Sequence, residues 1–203
     1  MELIPTQDEV VALLRRTGGL RSGHFEYPGG VHVNEYLQVA LTMRDFNTSN
    51  ILSVALSRKL RSNSDIRAIL PKLSVAAPAT GGLPVAYGVS EALRARKVFW
   101  AERENVDEPM HFREYLELEP GEKVVLVDDI FRTGHKLAEM KKLVESAGGE
   151  VVAMGVIVYQ PSPGAAQFDS LPFYYLAKLD ATYTDAAACE QCKIGVPVSK
   201  VRL

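Results

Sequence analysis

Val124-Val125-Leu126-Val127-Asp128-Asp129-Ile130-Phe131-Arg132-Thr133-Gly134-His135-Lys136 is the stretch whose reading decides the fold. The run Val124 to Val127 is short and β-branched, so it reads as a buried strand rather than a helix. Two adjacent carboxylates follow, then a short basic loop around Thr133-Gly134, then a helical pattern. A strand, loop and helix in this order surround a small cavity with backbone N–H groups and a positive helix N-terminus, a setting suited to phosphate. Acids at the strand end can hold sugar hydroxyls, directly or through a bound cation. Phosphate at one end and hydroxyls at the other describe a ribose-phosphate pocket.

The surrounding chain reads as alternating strands and helices. Thr6 to Glu9 has the form of a capping box, and Val10, Leu13 and Leu14 fall on one helical face before Gly18-Gly19. Residues 23–41 read as a hairpin-like segment around Pro28-Gly29-Gly30, with a strand near Val31 to Leu41. A helix is expected from Asn47 to Leu60, a strand at Ser74 to Ala77 and a helix from Leu83 to Leu93. Further strands are expected at Val98 to Ala101 and Phe112 to Leu118, separated by a polar, mobile segment from Glu102 to His111. After the central stretch, Leu137, Met140, Leu143, Val144 and Ala147 mark a helix face. Val151 to Tyr159 reads as a central strand and Phe173 to Leu179 as the last one. This alternation argues for an α/β fold with a mostly parallel central sheet flanked by helices, and ligands bind such sheets beyond the strand carboxyl ends.

The chain has 203 residues, 47% of them hydrophobic and 24% charged, with net charge -2. That balance fits one globular domain, with residues 1–45 and the C-terminal tail contributing a small hood. It implies no general polyanion-binding surface, so no nucleic acid is expected as a partner. No apolar run approaches membrane-spanning length and no signal-peptide core opens the chain, so no membrane is expected and the default location is the cytoplasm. Two cysteines exclude a disulfide scaffold.

A second loop, Ala79-Thr80-Gly81-Gly82, joins a short strand to the next helix. Residues without a Cβ let the backbone approach a diphosphate closely, although a plain strand-to-helix turn would look the same. Together, the two loops make the pattern informative. The central stretch resembles the phosphoribosyl pyrophosphate (PRPP) motif of the type I phosphoribosyltransferases in order, spacing and residue type. Gly81-Gly82-Leu83-Pro84, Gly23-His24-Phe25, Tyr36, the turn Glu119 to Lys123 and the tail Cys189 to Val198 look like the orotate phosphoribosyltransferases in particular.

The resemblance implies displacement of pyrophosphate from the ribose of PRPP by a nucleobase, orotate first among the candidates, with Mg2+ as cofactor. Asp128 and Asp129 would hold the ribose hydroxyls and contact the cation through water. Arg132, Thr133, Gly134, His135 and Lys136 would bind the 5′-phosphate. Thr80, Gly81, Gly82 and Arg103 would face the pyrophosphate, and Asp129 and Arg103 would be the catalytic pair. A homodimer is implied as well, with Arg103 serving the neighbouring subunit. Three places differ from the usual pattern. Glu102-Arg103-Glu104 replaces a more basic sequence, Gln160 stands where an arginine is common, and Tyr27-Pro28-Gly29-Gly30 replaces a segment that often carries lysine or serine. Transfer to another base, and a PRPP-sensing regulator without turnover, are therefore the alternatives.

Cys189 and Cys192 form a lone CxxC. One pair cannot complete a four-ligand metal site, and no histidine is near them in sequence, so they read as two reduced structural thiols. His24 and His32 read as structural or base-pocket residues, and Trp100 as core.

Overall fold

The computed structural model describes residues 4–105, 108–114 and 116–201. Residues 106 and 107, inside the polar segment, and residue 115, inside the expected strand 112–118, lie outside the described residues.

The chain opens with α1 (Gln7–Arg16), whose start carries the expected reciprocal cap between Thr6 and Glu9. β1 (Leu20–Tyr27) and β2 (Val31–Leu37) form an antiparallel hairpin, followed by α2 (Val39–Met43), α3 (Phe46–Ser62) and α4 (Ser64–Ile69). β3 (Ser74–Pro78), α5 (Gly82–Leu93), β4 (Lys97–Glu102) and β5 (His111–Phe112) come next. β6 (Lys123–Phe131), α6 (His135–Ser146), β7 (Glu150–Tyr159) and β8 (Phe173–Lys178) complete the main body. The tail holds β9 (Thr184–Asp185), α7 (Glu190–Lys193) and β10 (Ser199–Lys200).

Six strands form the main sheet in the order β5-β4-β3-β6-β7-β8, parallel except at the β4–β5 edge. Strand side chains alternate between faces, and here both faces are buried. Val125 and Val127 of β6 pack with Leu52 and Leu56 of α3 and Val85 and Val89 of α5. Val124 and Leu126 pack with Leu137, Met140 and Val144 of α6 on the opposite face. This explains why β6 reads as a continuous apolar run instead of an alternating one.

A second sheet, in the order β10-β1-β2-β9, combines the N-terminal hairpin with the two ends of the tail. β10 pairs with β1 and β9 with β2, so the hairpin and the tail share this sheet.

Three expected elements differ. The strand expected at 112–118 reduces to His111–Phe112, because the segment turns after Phe112. The strand expected to continue to Leu41 stops at Leu37, and Val39 begins a helix that buries Val39 and Met43. β6 does not end before the acids. Asp128 pairs with Val156, Ile130 with Val158 and Phe131 with Tyr159, so both carboxylates lie within the strand's last turn of ladder. Trp100 is half-buried, and the neighbouring Phe99 fills the core instead.

Candidate active site

The end of β6 and the starts of α5 and α6 converge. Asp128 and Asp129 are buried, at 4% and 8% exposure. The Asp129 N–H donates to Asp128 Oδ1 at 2.9 Å. Burial pushes the Asp128 carboxyl well above the ordinary carboxylate range, the Asp129 charge adds to this, and Lys136 opposes it. Burial also raises Asp129, against the hydrogen bond from the Asp128 side chain and the charge of Lys136. Two desolvated carboxylates side by side attract hydroxyl donors or a hard cation.

The Thr80–Gly82 loop lies directly against these acids. A Cβ on Gly81 would meet Asp129 Oδ2 at 2.9 Å, and one on Gly82 would meet Asp128 Oδ1 at 3.1 Å. Both glycines are therefore required by close approach. The Ala79–Thr80 peptide bond is cis.

The Arg132–Lys136 loop follows. Gly134 has φ +74, and a Cβ there would lie 2.6 Å from the Phe131 ring, so only glycine fits. Thr133 Oγ1 accepts from the His135 N–H at 3.4 Å, and α6 begins at His135. The first N–H groups of an α-helix have no partner inside the helix, so this turn presents donors and a positive end. Thr133, Gly134, His135 and Lys136 thus surround a helix N-terminus, with Lys136 near enough to influence both acids.

Arg132 is placed differently. Its Nη2 donates to the Leu37 carbonyl at 2.7 Å and to the Tyr27 hydroxyl at 3.0 Å, and its guanidinium lies 4.9 Å from the Tyr27 ring centre. Its buried Nε has no hydrogen-bond partner among the described residues. Tyr183, from the tail, is half-buried beside Arg132 and Tyr27, and burial raises its hydroxyl pKa. Reading along the chain missed Tyr183, because nothing near it in sequence links it to Arg132. Gln160 is buried at the end of β7, where its N–H donates to the Phe131 carbonyl at 2.9 Å.

Arg103 lies just beyond β4. Its guanidinium pairs with Glu139 of α6 and donates to the Glu108 carbonyl at 3.1 Å. Glu139 also accepts from the Met110 N–H, so one carboxylate clamps both ends of the described loop to α6. Glu102 pairs with Arg113. The local acidity of this loop is thereby partly neutralised by groups far apart in sequence. Residues 102–104 and 111–114 line a hollow of about 760 Å³.

The expectation that no histidine assists Cys189 and Cys192 is overturned. The hairpin and tail bring His24, His32, Cys189 and Cys192 together, with one donor atom of each lying within 4.8 Å of the others. Both thiols are free, and backbone N–H groups, that of Cys192 first, draw the Cys189 thiol down to about 6.

A family model described as "Phosphoribosyl transferase domain" matches residues 55–168. The orotate phosphoribosyltransferase of Carboxydothermus hydrogenoformans is 38% identical, over 89% of this chain and 90% of that protein. The orotate phosphoribosyltransferase of Thermotoga maritima is 35% identical, over 93% of this chain and 94% of its own. Among solved structures, orotate phosphoribosyltransferase from Aeropyrum pernix superposes with a TM-score of 0.65 at 20% identity, covering 84% of this chain and 93% of the other. That last likeness bears on the fold alone.

Proposed function

Because the chain belongs to the orotate phosphoribosyltransferase family, we propose that it transfers the phosphoribosyl group of PRPP to orotate, giving orotidine 5′-phosphate and pyrophosphate for pyrimidine synthesis. The observation that carries this reading is the buried Asp128–Asp129 pair, enclosed between two phosphate-type loops.

Asp128 and Asp129 accept hydrogen bonds from the ribose 2′ and 3′ hydroxyls. This relieves the mutual repulsion of two buried acids and fixes C1 of the sugar. Thr133, Gly134, His135 and Lys136 bind the 5′-phosphate through the backbone N–H groups of the α6 start and the Lys136 charge. Arg132 contributes the charge at this loop while tying the small sheet down over it. Thr80, Gly81 and Gly82 bring backbone within reach of the diphosphate. Arg103 exchanges Glu139 for the departing pyrophosphate and stabilises negative charge as the bond to C1 breaks. A base nitrogen then takes the place of the leaving oxygen, so catalysis is mostly positioning and electrostatics.

The buried, mutually repelling acids suit a hydrated divalent cation delivered with PRPP. Asp128 and Asp129 would hold Mg2+, which would supply positive charge to offset that of the diphosphate. The Glu102–Arg113 pair offsets one charge of the acidic 102–108 segment on which the regulator alternative rests. A homodimer is part of this reading. Phe46 (83% exposed) and Tyr87 (56% exposed) line a groove of about 510 Å³ between α3 and α5, an apolar face for a second copy. The described residues contain no helix long and apolar enough to cross a membrane.

Asp129→Asn tests the assignment. We expect PRPP with Mg2+ to raise the thermal midpoint of the parent protein, and Asp129→Asn to lose most of that shift and of turnover while still folding. A variant with parental kinetics and parental stabilisation by PRPP would refute it.

A further inference from the structure

Besides the phosphoribosyl site, the small sheet carries a second cluster. Glu26 of β1 pairs with His32 of β2. His24 lies at a bulge in β1, between Ser22 and Phe25, and its Nε2 sits 2.8 Å from His32 Nδ1. The tail returns across these residues. Cys189 caps α7 and Cys192 lies within it. Cys189 Sγ is 3.4 Å from His24 Nε2. Cys192 Sγ is 3.6 Å from His24 Nε2 and 3.4 Å from His32 Nδ1.

These distances have a metal geometry. A tetrahedral zinc with Zn–S of about 2.3 Å and Zn–N of about 2.0–2.1 Å requires S···N edges of about 3.6 Å and an N···N edge of about 3.3 Å. Three of the four S···N edges, at 3.4–3.6 Å, are already near this length, and all four ligand atoms lie within 4.8 Å of one another. His24 Nε2 and His32 Nδ1 are 2.8 Å apart, so a small imidazole rotation would open that edge.

The outer contacts fix the ligand atoms. His24 Nδ1 lies 2.8 Å from the Val196 carbonyl, which can only accept, so Nδ1 carries the proton and Nε2 its lone pair. His32 Nε2 faces the Glu26 carboxylate at 4.0 Å, which leaves Nδ1 for the cluster. A carbonyl or carboxylate behind each ligating imidazole is the usual support of a bound metal. Without a cation, the two ring lone pairs would oppose each other across 2.8 Å unless a proton came between them.

The tail also has little else to order it. No side chain from Glu190 to Lys200 is buried, and Ile194 is 75% exposed. Among the described residues its links to the sheet are the short β10 pairing with the adjoining Val201 N–H to Glu26 carbonyl bond, the exposed Lys200–Glu26 ion pair, the His24–Val196 contact and the four-residue cluster.

We propose that His24 Nε2, His32 Nδ1, Cys189 Sγ and Cys192 Sγ form a structural zinc site that fastens the C-terminal tail to the N-terminal hairpin. The two thiols release their protons to solvent, and the resulting two thiolates and two neutral imidazoles form an uncharged complex with Zn2+. All four positions are filled by protein, as in structural zinc sites, so the site takes no substrate. It joins residues 165 positions apart, where closing the chain restricts the unfolded state most.

The test uses the full-length chain, expressed without a histidine tag and purified without chelators. We expect about one zinc per chain by mass spectrometry of the metal. Cobalt added to the metal-stripped protein should give the intense visible bands of tetrahedral Co2+ with a thiolate charge-transfer band, and zinc should erase both. Cys192→Ser and His32→Ala should each lose the metal, and chelation should lower the thermal midpoint. Metal-free parent protein without a tetrahedral cobalt spectrum would overturn the proposal. So would a Cys189–Cys192 disulfide in fresh protein, zinc retained by both variants, or a midpoint unchanged on metal removal. The parental cobalt spectrum decides the matter even if a variant fails to fold.

Discussion

Gly81 packs its α-carbon against the Asp129 carboxylate, with room for no more than a hydrogen: an added Cβ would sit 2.9 Å from Oδ2. The loop proposed to face the diphosphate and the acid proposed to hold the ribose therefore share one van der Waals surface. We expect Gly81→Ala to lower kcat/KM for PRPP by about tenfold or more, because a small displacement of positioning groups is costly to catalysis. Steady-state kinetics check this, alongside a thermal midpoint close to the parent's.

Asp128 carries a stability penalty that its replacement should reveal. Its folded-state pKa is raised above the ordinary value of 3.8. The folded protein thus binds this proton more tightly than the unfolded chain does. The penalty is absent below pH 3.8 and grows as pH rises from there through the folded-state pKa. Asp128→Asn should therefore stabilise the ligand-free protein at pH 7, with the gain shrinking as pH falls toward 4, while PRPP turnover drops sharply. Denaturant midpoints across that range measure it.

Arg103 and Glu139 make the opposite kind of pair, one that substrate must break. We expect Arg103→Ala to lower kcat by about 10²-fold with a smaller change in KM, the pattern of a group that acts on the transition state. Glu139→Gln should instead tighten PRPP binding by about threefold, the scale of a partly exposed ion pair. PRPP titrations of both variants separate the two effects.

Glu122 ties together the amino ends of β3, β4 and β6. Its buried carboxylate accepts from the Ser74 hydroxyl, from the Glu119 N–H at 2.9 Å and from Lys97 at 3.1 Å. Burial raises its pKa and these donors outweigh that, so the net shift is downward from 4.5. Its stabilisation is present above pH 4.5 and is lost as pH falls through the lower folded-state value. Glu122→Ala should cost about 1–3 kcal/mol at neutral pH, less in acid, and leave KM unchanged.

Arg132 links the phosphate loop to the small sheet through Leu37 and Tyr27. Arg132→Lys keeps the charge but loses the planar guanidinium that stacks on Tyr27 and whose Nη2 donates to both partners. We expect KM for both substrates to rise and the hairpin amides of residues 31–37 to exchange hydrogen faster.

The central stretch made the fold legible, because Val124 to Val127 has both faces buried and an uninterrupted apolar run records that. The two loops were legible because glycine at 81, 82 and 134 answers to local backbone demands. What could not be read depended on chain segments meeting in space. The contacts of Arg132 with Tyr27 and Leu37 were not legible, since nothing near it in sequence names either residue. Glu102 stands in a segment less basic than the usual pattern, and nothing near it in sequence names Arg113 as its partner. The CxxC looked incomplete, because its histidines lie on a hairpin at the other end of the chain.

The measurement that tests the central claim most directly is pyrophosphate release from PRPP and Mg2+ with orotate, uracil and purine bases offered separately. Release with orotate and formation of orotidine 5′-phosphate, with the other bases near background, is the predicted result. Release with a purine or uracil but not orotate would contradict the assigned substrate, and PRPP binding without release for any base would contradict the enzyme itself.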